Sequence, residues 1–176
     1  PEPTAPGQHP AGVGREGGVA LAEMLRVDNV LVSLGLADNG LDEAAAMALG
    51  RALAANSCLR SLDLAGNSIG PSGALALADA LRANTALQFL NLEANALGPD
   101  GGLAMAVAIE SNLSLTSLDL YDNGLGIDGA LAILHALGGN SKLHEVNLRC
   151  NALDSAGCAS VLSLAARTSC HVLCDH

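Results

Sequence analysis

Five cysteines and five histidines could do metal or nucleophile chemistry in this chain of 176 residues. Four of them crowd into its last stretch, Cys170-His171-Val172-Leu173-Cys174-Asp175-His176. Thiols and imidazoles in such numbers are what a zinc ion takes. The spacing matches no closed zinc set, however, and Cys174 falls in an otherwise apolar column, so no metal is expected. His9, His135 and His144 lie far apart with no Ser, Cys or acid recurring beside them, so no nucleophile–base pair is expected either. Asp63 and Asp119 share a column but have a whole repeat between them, as a solvated acidic stripe would. Neither catalysis nor a cofactor is expected.

The elements that position these residues are read from a second pattern. Leu59, Leu62, Leu64, Asn67 and Ile69 form the series LxxLxLxxNxL, which recurs at a fixed step of 28 residues. Its other copies are Leu31, Leu34, Leu36, Asn39, Leu41; Leu87, Leu90, Leu92, Asn95, Leu97; Leu115, Leu118, Leu120, Asn123, Leu125; and Leu143, Val146, Leu148, Asn151, Leu153. Five copies without insertion or deletion define a solenoid. Within each, alternating leucines give a short strand with one buried face. The Asn column, Asn39, Asn67, Asn95, Asn123 and Asn151, is expected to be a structural ladder whose amides satisfy backbone groups where the chain leaves the strand. Helical spacing follows: Leu75, Leu77, Ala80, Leu81; Leu103, Met105, Ala108, Ile109; Leu131, Ile133, Ala136, Leu137. The fold class is therefore α/β, a curved solenoid with a parallel sheet on its concave face and helices on its convex face.

Other columns have structural readings. Asn56, Asn84, Asn112 and Asn140 sit at helix exits, where Asn tolerates the left-handed conformation. Pro71 and Pro99 open helices, with Ser72, Asp100 and Asp128 one residue later. Gly73, Gly101, Gly129 and Gly157 imply close helix packing. Cys58 and Cys170 share a column before a strand, Cys158 replaces a small residue at a helix start and Cys150 follows a strand. This odd, unframed set is expected to be reduced, in a cytoplasmic setting.

Residues 1–13 are rich in proline and lack the leucine columns, so they are read as a disordered or degenerate lead-in. A single domain is expected over 14–170, a half repeat followed by five repeats starting near 31, 59, 87, 115 and 143. Residues 171–176 would begin a truncated sixth repeat. Both ends then cut through a repeat, and the missing initiator Met and leader fit a fragment of a longer array or multidomain protein.

Between the strand leucines, positions two, four and six after each first leucine should face away from the helices. They are Ser33, Gly35, Ala37; Ser61, Asp63, Ala65; Phe89, Asn91, Glu93; Ser117, Asp119, Tyr121; and Glu145, Asn147, Arg149. The only Phe and the only Tyr of the chain both fall here. With Asp122 beside them, Phe89, Asn91, Glu93, Ser117, Asp119, Tyr121, Glu145, Asn147 and Arg149 make a candidate partner-binding surface. A net charge of −10, with one Lys among eight basic residues, argues against nucleic acid or an anionic membrane and for a protein with a basic or mixed surface. Val107 and Leu134 are read onto the outer helix face with Arg51 and Asp79, as a further contact with another domain or chain.

On these motifs, exemplified by Leu115-Thr116-Ser117-Leu118-Asp119-Leu120-Tyr121-Asp122-Asn123-Gly124-Leu125, residues 14 to 170 resemble the ribonuclease-inhibitor-like class of leucine-rich repeats. That class includes ribonuclease inhibitors, NOD-like receptor arrays, tropomodulin-like cytoskeletal proteins and the Ran GTPase-activating protein. The helix phrase from Gly73 to Asn84 looks most like NOD-like receptor arrays. The resemblance implies a non-catalytic scaffold that binds a protein partner on its concave sheet. A small-GTPase regulator resembling the Ran activator, with Arg149 its only concave strand arginine, is the alternative, as is a ligand-sensing NOD-like array.

Overall fold

The computed structural model describes residues 12–175. Strands and helices alternate along the chain: α1 (Gly14–Val27), β1 (Ser33–Gly35), α2 (Glu43–Ala55), β2 (Ser61–Asp63), α3 (Gly70–Ala83) and β3 (Phe89–Asn91). They continue as α4 (Gly98–Ser111), β4 (Ser117–Asp119), α5 (Gly126–Leu137), β5 (Glu145–Asn147), α6 (Ser155–Ala165) and β6 (His171–Leu173). All six strands pair in chain order in one parallel sheet. Leu62 pairs with Leu90, and Leu90 with Leu118, so each strand leucine stacks on its counterpart. Strands pack about 4.8 Å apart and helices about 8–10 Å apart, so the array bends with the sheet on its inner face.

The core is a ladder of repeat columns between sheet and helices. Leu59, Leu64, Leu87, Leu92, Leu120 and Leu148 are wholly buried, as are Leu49, Leu77, Met105, Ile133 and Val161 from the helices. Glycine lets the helices approach: a Cβ on Gly73 would lie 2.8 Å from the Ala46 methyl, and one on Gly102 would lie 2.8 Å from the Gly129 Cα.

Two Asn ladders close the turns. Asn95 is fully buried; it donates to the carbonyls of Leu64, Leu92 and Glu93. The Asn123 Oδ1 accepts the Asn95 amide, and that of Asn151 accepts the Asn123 amide, both at 3.1 Å. Asn39, at the first repeat, is only partly buried; its Oδ1 accepts from Val13. The helix-exit Asn residues form the second ladder and correct the expectation of a left-handed cap. Asn84 has φ −78 and ψ 129, an extended conformation. Its Nδ2 donates to Leu53 and Asn56 in the preceding repeat, while its Oδ1 accepts from Ala86 and Leu87. A side chain, not a backbone twist, ends the helix there. Left-handed backbone falls instead just after the strands, at Asp38, Gly66, Ala94, Asp122 and Cys150.

Three further expectations are corrected. Leu75 and Leu103, expected in the helical core spacing, are 53% and 45% exposed. Leu134, expected on the outer face, is 2% exposed. Its column runs through Gly50, Ala78 and Ala106, whereas the column of Arg51 and Asp79 continues to Val107 and His135. At the C-terminal end, β6 pairs two residues earlier than the 28-residue step requires, with His171 opposite Glu145. Cys170 therefore leaves the column of Cys58 and becomes a buried residue in front of β6. Residues 1–11 of the expected lead-in, and His176, lie outside the described residues.

Candidate functional site

The sheet face opposite the helices is built from the middle residues of each repeat. In β3, Leu90 points into the core, so Phe89 and Asn91 emerge on the other side. Phe89 is 50% exposed and stands in register between Ser61 and Ser117. Ser61, Asp63, Phe89, Asn91, Ser117 and Asp119 together line an open depression of about 280 Å³.

The acidic and amide row beside Phe89 is not simply solvated. Asp63 Oδ1 accepts the Ala65 amide, Asn91 Oδ1 the Glu93 amide, Asp119 Oδ1 the Tyr121 amide and Asn147 Oδ1 the Arg149 amide. Each side chain thus turns the backbone out of its own strand, as an Asx turn does. Asn147 also donates to Asp119 Oδ2 at 3.1 Å across β4 and β5. The expected stripe is a set of turn-forming side chains, one of which also ties β4 to β5.

Glu93, Tyr121 and Arg149 lie two residues beyond their three-residue strands and form a separate row at the rim. The Tyr121 hydroxyl rests against the Cys150 thiol in the next repeat; this contact, with Asp122 and Glu93 close by, holds its phenol above the usual range. Arg149 is exposed and Glu145 is exposed on β5. Phe89 and Tyr121 are therefore not brought into one pocket: the depression holds Phe89, and Tyr121 belongs to the rim. Asp122, beyond Tyr121, lines a different hollow.

That hollow, of about 610 Å³, lies outside the surface expected from the strand columns. Ser68, Ala94, Ala96, Gly98 and Gly124 line it beside the edges of Asn67, Asn95 and Asn123. Its signal in the sequence is the run of small residues that follows each strand, which leaves the turns without side chains to fill the space.

Among the described residues no group of His, Cys, Asp and Glu is arranged to hold a metal ion. Cys174 is buried with its Sγ 3.9 Å from that of Cys158, and both are free thiols. Burial pushes the Cys174 thiol up to about 11, and burial with Glu145 nearby does the same to Cys170. Such thiols are poor nucleophiles at neutral pH. Among the described residues no helix is long and apolar enough to cross a membrane.

Four stretches, 55–78, 83–106, 111–134 and 139–162, match a family model described as Leucine Rich repeat, together more than half of the chain. No curated protein matches the sequence. Among solved structures, that of Leiomodin-1 Actin-Binding Site 2 is similar with a TM-score of 0.69 at 20% identity, over 85% of this chain and 86% of that one. The tropomodulin C-terminal domain of Caenorhabditis elegans is similar with a TM-score of 0.68 at 19% identity, over 85% of this chain and 92% of that one.

Proposed function

The chain belongs to the leucine-rich repeat family, and from that premise we propose that it is a non-catalytic interaction module that takes a protein partner on the inner sheet face. The observation that carries this reading is Phe89, an aromatic side chain half exposed over an open depression whose other lining residues on that face, Ser61, Asp63, Asn91, Ser117 and Asp119, are small or polar. An aromatic anchor ringed by polar groups is the usual composition of a protein-binding hot spot. Asp63 and Asp119 line the depression with it, Glu145 lies two strands away in its column, and Glu93, Asp122 and the one basic residue, Arg149, lie beyond the strands, which favours a partner with a basic or mixed surface. The same field disfavours nucleic acid and anionic membrane. The repeats fit the ribonuclease-inhibitor-like class by their 28-residue step and the helix in every repeat, and unpaired thiols fit a cytoplasmic setting.

Calorimetry of the chain against a panel of proteins with basic or mixed surfaces tests this. Actin belongs in that panel because the similar leiomodin structure is of an actin-binding site. A partner whose binding weakens with Phe89→Ala supports the reading; one indifferent to every sheet-face substitution overturns it. Stimulated GTP hydrolysis by a small GTPase that disappears with Arg149→Ala would replace the module reading by that of a GTPase regulator.

A further inference from the structure

Helix columns that reach solvent with side chains larger than alanine are mixed in character, with one exception. The column four residues after it holds Glu23, Arg51, Asp79, Val107 and His135, and the column three residues before it holds Glu16, Ala44, Ser72, Asp100 and Asp128. The exception holds Val19, Met47, Leu75, Leu103 and Leu131, apolar in all five helices from α1 to α5. Their exposures are 37%, 40%, 53% and 45% for the first four, and Leu131 is half-buried. Val107, 50% exposed, widens the row at α4. A solvent-facing column that repeats an apolar side chain five times over runs against the ordinary composition of an outer helix face.

Because neighbouring strands are parallel and in register, the helices are parallel too, and the row crosses them in a line. The exposed carboxylates of Glu16, Asp100 and Asp128 run along its N-terminal side, with Glu43 next to them. Arg15 is already paired with Asp42, and Arg82 with Asp79, which among the described residues leaves Arg51 as the cation beside the row. The surface is thus an apolar line with an acidic border on one side.

We propose that this row docks an amphipathic α-helix of a partner protein, one that carries a line of apolar side chains and basic residues along one flank. The spacing of the row fits such a helix. Adjacent solenoid helices lie about 8–10 Å apart, close to the rise of seven helical residues at about 1.5 Å each. A partner helix laid across them therefore meets Met47, Leu75 and Leu103 with apolar residues two turns apart, on a single face. A groove of about 240 Å³ between α2 and α3, lined by Met47, Gly50, Ala76 and Asp79 among others, receives a side chain there. At its floor Gly50 lets the two helices approach closely, since a Cβ there would stand 2.7 Å from the Ala76 carbonyl oxygen. The acidic border sets the direction in which the partner's basic flank must lie.

The test uses the whole chain and a synthetic peptide of about 20 residues, helical by design, with Leu every seventh residue and Lys on one flank. A second peptide carries Glu in place of Lys. Fluorescence anisotropy should show the Lys peptide binding at least about tenfold more tightly than the Glu peptide. Leu75→Glu with Leu103→Glu should abolish that binding while circular dichroism stays unchanged. Asp100→Asn with Asp128→Asn should weaken it and flatten its salt dependence. Phe89→Ala should leave it alone, which separates this surface from the sheet face. Equal binding of the two peptides, no binding of the Lys peptide, or binding that survives in the folded Leu75→Glu, Leu103→Glu variant overturns the proposal. So does a dimer of the unmodified chain in sedimentation that the same pair of substitutions dissolves, since a second copy then covers the row.

Discussion

Asn95 donates through Nδ2 to the carbonyl of Leu64, one repeat upstream, at 2.8 Å, and the same amide reaches Leu92 and Glu93 in its own repeat. One side chain therefore fastens two successive turns at a fully buried position. Truncation removes three donor bonds whose carbonyls keep one other donor each, from Asn67, Asn123 and Gly66, and leaves the buried Ile69 amide without its Asn95 acceptor, a loss of about 1–3 kcal/mol. Asn95→Ala should lower the urea midpoint clearly, and Asn39→Ala, partly exposed at the first repeat, should lower it less. Equal midpoints for Asn95→Ala and the parent would show that the turns hold without the ladder.

Asp119 joins a turn and a neighbouring strand: its Oδ1 accepts the Tyr121 amide and its Oδ2 the side-chain amide of Asn147. Asp119→Asn keeps an acceptor for the turn and should stay within about 0.5 kcal/mol of the parent. Asp119→Ala removes both contacts at a half-buried site and should cost about 1 kcal/mol. Chemical denaturation of the two variants separates these outcomes; identical midpoints would return Asp119 to the solvated stripe expected from sequence.

Why the leucine and Asn columns are legible in the sequence, and other features not, follows from what each depends on. A 28-residue step without a gap dictates which leucines stack, because strand and helix of one repeat can bury their apolar faces only against the next. Leu75 misleads because Leu75, Leu77, Ala80 and Leu81 satisfy a helical spacing that does not reveal where its inner edge lies. Val107 and Leu134 look like one column although they are one residue off the repeat step, and Gly50 and Ala78 mark the correct inward column. The Asx turns at Asp63 and Asp119 escape notice because a polar residue on the open face of a strand reads the same whether or not it caps its own turn. The two-residue shortening before β6 breaks the period itself, so counting misplaces Cys170.

The thiols give a pH prediction. Cys170 and Cys174 are each pushed up to about 11 from an ordinary value of 9.0, chiefly by burial. The folded state thus holds their protons more tightly than the unfolded chain. Their contribution to stability is complete below about pH 9 and is lost as pH rises toward about 11. Thermal melts of the parent across that window should fall, and Cys170→Ala with Cys174→Ala should fall less steeply. Iodoacetamide at about pH 8 should modify exposed Cys150 first and leave Cys158, Cys170 and Cys174 until the chain unfolds. Rapid labelling of Cys174 in the native chain would show that the end of the solenoid opens.

The sheet face and its rim should contribute differently to partner binding. Phe89 lies in the depression between Ser61 and Ser117, free of any fixed polar partner, so a partner's apolar group can cover the whole ring. Tyr121 is half-buried at the rim with its hydroxyl against Cys150, so part of its surface is already occupied by the chain's own neighbours. Phe89→Ala should therefore weaken binding by about 2 kcal/mol, roughly 30-fold, and Tyr121→Ala by about half that free energy. Because Tyr121 lies beyond the Asp119 turn, four residues past the strand partner of Phe89, the two side chains share no pocket and the two losses should add in the double variant. Ser33→Ala, at the far edge of the sheet, should be silent. Calorimetry with the partner, and circular dichroism to check folding, measures all four; a larger loss at Tyr121 than at Phe89, or a double variant no weaker than Phe89→Ala alone, would move the anchor from the depression to the rim.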